Sequence, residues 1–232
     1  MATISVSVLK QTYQNCLIDA HKWFKDQGHQ FEASIINFDY SSDPLIIEIV
    51  LHFRPLPHRL SPKGKISILA SSRDEICKND LSCKKSNIHL TYFEIDDQNE
   101  IAHAIESIHY DAEVPPKEKH PICHGQIVNK SVSNTRRPES FHYAIEEENL
   151  KNRFQSFRIP SAYINLPGLL FILAADHLPN NKWKEFLEDC QPKFNNFPKL
   201  SGCNILRDIS ANASLMAHHW YDRDPNKVTI PA

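Results

Sequence analysis

Histidine is plentiful in this chain, 13 in 232 residues, and the segment Ile108–Val128 concentrates three of them beside carboxylates: I-H-Y-D-A-E-V-P-P-K-E-K-H-P-I-C-H-G-Q-I-V. Imidazole and carboxylate are the side chains that share protons near neutrality, and they are ligands that borderline divalent metals accept. Either use requires the groups to converge within a few ångströms. If both halves of the segment are strands, side chains alternate between faces. His109, Asp111 and Glu113 then share one face, and Ile108, Tyr110, Ala112 and Val114 the other. On the second strand His124 and Gln126 oppose Cys123, Gly125 and Ile127. One parity of register lays apolar on apolar. It pairs Tyr110 with Gly125, Asp111 with His124 and His109 with Gln126, across a loop of roughly eight residues. A ring over a bare glycine is a known cross-strand packing solution. His120, in the loop, would fold over the polar face. The candidate catalytic set is therefore His109, Asp111, His120 and His124, with a divalent metal as a candidate cofactor and no dedicated metal ligands assigned. The same residue types also occur on half-exposed sheets that carry no chemistry.

The elements that would hold this hairpin can be read around it. Val8, Tyr13, Cys16, Leu17, Ala20, Trp23 and Phe24 recur largely at helical spacing, predicting a helix over Val6–Gln27 that stops at Gly28. Phe31–Tyr40 and Leu45–Phe53 read as strands joined by the turn cluster Ser41–Pro44. Arg54–Lys65, with Pro55, Pro57, Pro62 and Gly64, reads as a loop, followed by a short strand Lys65–Ala70 and a polar connection Ser71–Asn87. Ile88–Ile95 predicts a fourth strand, and Asp96 an N-cap for a short helix reaching about Ala104. The hairpin supplies strands five and six. Asn129–Asn152 reads as a polar flap. Leu166–Leu178, Lys182–Cys190 and Asn204–Trp220 are helical in pattern. The expectation is a single α+β domain over residues 1–232: an N-terminal helix and an antiparallel sheet of about six strands to residue 157, then a helical C-terminal third packed on it.

Composition narrows the function. Lys plus Arg total 26 against 28 Asp plus Glu, a formal charge of −2, which argues against a polybasic nucleic-acid tail. Five glycines and no G-x-G-x-x-G or G-x-x-x-x-G-K-S/T pattern exclude the standard phosphate-cradling loops. No G-x-S-x-G elbow is present. No apolar run approaches the roughly 18 residues of a membrane span. Met1–Lys10 lacks the marks of a secretory signal. A cytoplasmic protein with reduced cysteines is therefore expected. Arg54, His58, Arg59, Lys63 and Lys65 form the densest basic patch, with Arg136 and Arg137 a second; Tyr92, Phe93 or Tyr143 would have to lie near them to stack bases. Arg54, Arg59 and Arg158 are the candidate ligand or nucleic-acid contacts. Asp176-His177 closes an apolar helix, where the helix dipole alone favours a histidine.

The pattern His109-x-Asp111, then His120-Pro121-x-x-His124-x-Gln126, then Arg158-Ile159-Pro160 and Asp176-His177 resembles a diffuse group of uncharacterised prokaryotic proteins associated with mobile elements, toxin-antitoxin loci and phage-defence islands. The resemblance covers about His109 to His177 and carries no established activity. It implies a bacterial origin and a protein partner from the same operon. Three readings follow: an accessory, partner-binding subunit of a bacterial antiviral-defence or toxin-antitoxin type system; a His/Asp-dependent ribonuclease-like or metal-assisted phosphodiesterase; and a sensor domain binding nucleic acid or a small ligand.

Overall fold

The computed structural model describes residues 6–58, 61–113, 123–132, 137–150, 158–160, 164–177, 182–194, 197–198 and 200. Helix α1 spans Val6–Asp26. Its buried positions Leu9, Tyr13, Cys16, Leu17, Ala20 and Phe24 step by three and four, so one stripe faces inward. Gly28, at φ +80°, ends it: the amide of His29 donates to the Phe24 carbonyl and that of Gly28 to Lys25, both at 2.9 Å.

Five long antiparallel strands follow in sequence order: β1 Gln30–Asp39, β2 Leu45–His58, β3 Ser61–Ile76, β4 Cys83–Asp96 and β5 Ile101–Glu113. Then come β6 Cys123–Ile127, β7 Ala144–Glu146 and β8 Arg158–Pro160. β6 pairs with β5, β8 closes the far edge against β6, and β7 runs parallel to β5 beyond the end of β6. Helices α2 (Leu166–His177) and α3 (Lys182–Phe194) agree with the expected helical segments. The third expected helix, Asn204–Trp220, lies outside the described residues.

Sheet alternation divides the molecule. One face carries Phe31, Leu51, Phe53, Ile68, Ala70, Ile88 and Leu90, and against it pack α1, α2 and α3. Aromatic rings mesh there, Phe24 on Phe53 at 4.6 Å and Trp23 on Phe186 at 5.0 Å between centroids. Among the described residues the main core contains one carboxyl: Asp74, wholly buried, accepts hydrogen bonds from Tyr13 Oη and Ser86 Oγ at 2.6 Å each. Burial pushes its pKa up, and the two hydroxyls oppose that shift. The opposite face is divided. At one end Val132, Phe141 and Leu150 cover Leu69, Phe93, Ala102 and Ala104 as a second small core. The other end stays polar.

Several expected elements are corrected. The proline-rich stretch is not a loop: β2 runs through Arg54–His58 and β3 starts at Ser61. Its prolines are accommodated by register shifts on either side of the Leu56–Ile66 pair, where a missing N–H costs no ladder bond. The polar connection is also shorter than expected, because β3 continues to Ile76 and β4 begins at Cys83. Asp96 caps no helix. Its Oδ1 accepts from the amides of Gln98 (3.0 Å) and Asn99 (3.2 Å), closing a tight turn into β5. An Asx turn and a helix N-cap use the same acceptor geometry, so the residue type alone does not separate them.

Candidate functional site

The β5–β6 ladder has the register read from the sequence: His109 opposite Gln126, Tyr110 opposite Gly125 and Asp111 opposite His124. The Tyr110 ring covers Gly125, whose absent Cβ would sit 3.0 Å from Tyr110 Cε1. On the other side β4 places Asn87 opposite Asp111 and His89 opposite His109. A polar row therefore crosses three strands.

Asp111 is its centre. His109 Nε2 lies 3.3 Å from Oδ1, His124 Nε2 lies 3.6 Å from Oδ2, and Asn87 Nδ2 donates to Oδ1. The carboxylate thus sits between two imidazoles. Their settings differ: the side chain of His124 is 4% exposed, whereas those of His109 and Asp111 are 32% and 27% exposed. His109 is the ring solvent or a ligand can reach, Asp111 orients it, and His124 backs the carboxylate. His89 stands beside His109, centroids 5.6 Å apart. Its Nε2 lies 2.7 Å from Ser107 Oγ and 3.0 Å from the Lys130 carbonyl. Burial, reinforced by the neighbouring His109 charge, lowers its pKa to about 4, so it stands neutral at pH 7.

No protein-family model matches the chain, and no curated protein or solved structure is similar to it. What the site does is therefore argued from its own geometry.

Among the described residues, no three His, Cys, Asp or Glu side chains converge to hold a metal ion. His120 and Arg59 lie outside the described residues. Arg158 takes the register position opposite Gln126 on β8, one strand beyond the cluster. Arg54 is not part of the site: its Nη2 donates to the Ser140 carbonyl, at the covered end of the face. Two cations on β3 and β4 are engaged too. Arg73 bridges Glu48 (3.3 Å) and Glu75 (3.2 Å), and Lys85 lies 3.7 Å from Glu113. Tyr92 and Phe93 are buried and offer no ring to a base. The row itself presents imidazole, carboxylate and amide groups on adjacent strands. His177 is buried at the end of α2 against Tyr92, ring centroids 5.6 Å apart, away from the row.

A second histidine centre carries little signal in the linear sequence. His52 is buried, with Nδ1 at 2.6 Å from Ser140 Oγ and Nε2 at 2.8 Å from Ser67 Oγ. Ser67 Oγ spends its proton on the Phe53 carbonyl at 3.0 Å. Nε2 therefore carries the ring proton and Nδ1 accepts from Ser140. This resembles a hydroxyl with its base in place, but burial, then the charges of Arg54 and His142, lower the His52 pKa to about 3. So weak a base does not activate an alcohol. The centre fastens residues 137–143 to the sheet. Its only trace in the sequence is a polar residue inside the apolar run Leu51-His52-Phe53.

A third surface lies at the opposite edge of the sheet. Of the five large hydrophobic side chains that stand exposed among the described residues, four belong to α1, β1 or the turn after it: Val8 (51%), Ile18 (62%), Ile36 (39%) and Tyr40 (68%). Ile18 also lines a groove of about 430 Å³, together with Gln11, Gln14 and Leu17 of α1 and Ala33, Ser34 and Ile35 of β1. Composition cannot show this, because exposure depends on which helical stripe the sheet leaves uncovered.

Proposed function

We propose that the chain is a cytoplasmic accessory subunit that binds a protein partner within a bacterial defence or toxin-antitoxin type system, its C-terminal third helical and packed on the sheet. The observation that carries this reading is that Val8, Ile18, Ile36 and Tyr40, four of the five large apolar side chains exposed among the described residues, all belong to α1, β1 or the turn after it, the elements that line the groove. Singly exposed apolar residues need no explanation, whereas an exposed set beside a groove marks a contact surface. That no helix of the described residues is long and apolar enough to cross a membrane is compatible with it. The test is co-expression with the product of each neighbouring gene, followed by co-purification. A stable complex, lost on Val8→Asp or Tyr40→Asp with the circular dichroism spectrum unchanged, is the expected result. The reading is overturned if no neighbour co-purifies, or if the complex ignores both substitutions.

One observation favours a second reading, the ribonuclease-like one: Asp111 set between a reachable His109 and a buried His124. In that reading His109 exchanges the proton, Asp111 fixes its orientation, and His124 holds Asp111. General acid–base residues are worth about 10²–10⁴ in rate. Cleavage of RNA by the purified protein should fall by about that factor in His109→Ala. Wild-type cleavage no faster than buffer, or equal cleavage by the variant, removes it.

A further inference from the structure

Two basic stretches stand apart in the sequence, and neither the histidine row nor the exposed apolar set draws on their charges. Residues 54–65 hold Arg54, Arg59, Lys63 and Lys65 and no Asp or Glu; residues 130–137 hold Lys130, Arg136 and Arg137 and again no acid. In a chain whose formal charge is −2, that is a local excess of cations. The fold joins the two stretches. Arg54 on β2 donates from Nη2 to the Ser140 carbonyl, and Ser140 Oγ meets His52, two residues earlier on the same strand. Arg137 donates from Nη1 to the Tyr143 carbonyl at 2.8 Å, its guanidinium 5.7 Å over the Phe141 ring. Both guanidinium groups are thus held by main-chain carbonyls of residues 140–143. Unlike Arg73 and Lys85, Arg54 pairs with no carboxylate among the described residues. Beyond burial, the charges of Arg54 and His142 lower the His52 pKa, so positive groups converge on this end of the face.

The same segment carries an aromatic platform. His142 is exposed, and its ring stacks on that of Tyr143, centroids 4.4 Å apart and planes 26° from parallel. Tyr143 is anchored in turn, its hydroxyl donating to Asp97 Oδ1 at 3.0 Å and its ring set against Phe141 at 5.6 Å. An exposed ring backed by a fixed one is what an unpaired nucleobase stacks on. We propose that this end of the sheet face binds single-stranded nucleic acid, with Arg54 and Arg137 on its phosphates and His142 on a base. An acidic peptide would satisfy the arginines and leave the ring unused, and a duplex keeps its bases inside the stack. Two carboxylates lie close, Glu32 opposite His52 on β1 and Glu139 beside Ser140. Binding is accordingly weak and salt-sensitive, with a dissociation constant of about 10⁻⁴–10⁻⁶ M. Arg54 lies opposite Gln30, where β1 begins, whereas Tyr40 follows the far end of that strand. The surface is therefore separate from the one offered to a protein partner, and it binds whether or not His109 cleaves.

Fluorescence anisotropy of the full chain with labelled oligo-uridylate and oligo-thymidylate should show binding at low salt that weakens as salt rises. Arg54→Gln and Arg137→Gln should each reduce the slope of log K against log [salt] by about 0.7, the share of one phosphate contact on a single strand. Arg54→Lys, which keeps the charge, should retain the wild-type slope. His142→Ala should weaken binding about fivefold or more, as the loss of one stacked base does. His142 is exposed, so its substitution tests the stacking even if Arg54→Gln loosens the Ser140 segment. The proposal is overturned if neither oligomer binds at low salt, or if a duplex binds as tightly as the single strands. It is overturned equally by an affinity that His142→Ala leaves unchanged, by slopes that both glutamine variants leave unchanged, or by polyglutamate competing as well as an unlabelled oligomer.

Discussion

Two neutral histidines hold residues 128–132 and 137–150 against the sheet, and this makes the protein sensitive to mild acid. His52 receives the Ser140 hydroxyl, and His89 Nε2 meets the Lys130 carbonyl. Their pKa values in the fold are about 3 and about 4, lowered chiefly by burial. In an unfolded chain each would titrate near 6.5, so between that value and its folded pKa the unfolded state binds a proton that the fold refuses. Stability is therefore complete above about pH 7 and falls as the pH drops through 6.5. At pH 5 each histidine costs RT ln(1 + 10^1.5), about 2 kcal/mol, and the pair about 4 kcal/mol, a large part of a typical stability of about 5–15 kcal/mol. Because both folded values lie below pH 5, the loss there is set by the unfolded value and hardly depends on the depth of either shift. Asp74, whose pKa is raised, acts in the opposite sense, and His29, lowered by burial, in the same sense. The informative quantity is accordingly the difference between variants. Urea denaturation at pH 8 and pH 5 should show His52→Gln losing about half as much stability over that interval as the wild type loses through the two rings. Ring resonances of His52 and His89 should stay those of neutral imidazole at pH 5. Rings that titrate near 6.5 in the native protein, or an identical pH dependence in wild type and variant, would refute the reasoning.

Other perturbations separate local from shared contributions. Gly125→Ala should cost about 1 kcal/mol in urea unfolding, because its Cβ would meet Tyr110 Cε1 at 3.0 Å and the ring must shift. Tyr13→Phe removes one of two hydroxyl partners of a wholly buried carboxyl and should cost about 1–3 kcal/mol. Gly28→Ala forces a side chain into the left-handed region at φ +80° and should cost about 1–2 kcal/mol, with fraying of the last turn of α1 seen by hydrogen exchange.

Much of the architecture can be read from periodicity. The α1 stripe and the hairpin register are legible because each has a strong pattern and only one arrangement that buries it: Tyr110 over Gly125 cannot slip by one residue without turning His109 and Asp111 into the core. Strand ends are harder. Ser71–Ile76 is too polar to announce a strand, yet it is central in the sheet and pairs on both sides. The covering segment is illegible for another reason. His52 and Ser140 are 88 residues apart, and no local rule joins them. Asn129–Asn152 reads as a polar flap, but Val132, Phe141 and Leu150 make it the lid of a second core. The candidate site was visible where it depends on one hairpin. Its β4 members, Asn87 and His89, were hidden, since they join only when the neighbouring strand aligns.

The order of the strands bears on how the chain assembles during synthesis. From β1 to β6 each strand pairs with the one made just before it, so the ladder can grow from the N-terminus without waiting for distant segments. Its helix-facing side is another matter: α1 is available from the start, whereas α2 and α3 come at residues 166–194. Until those residues leave the ribosome, part of a broad apolar wall stands bare, and uncovered surface of that kind is prone to association.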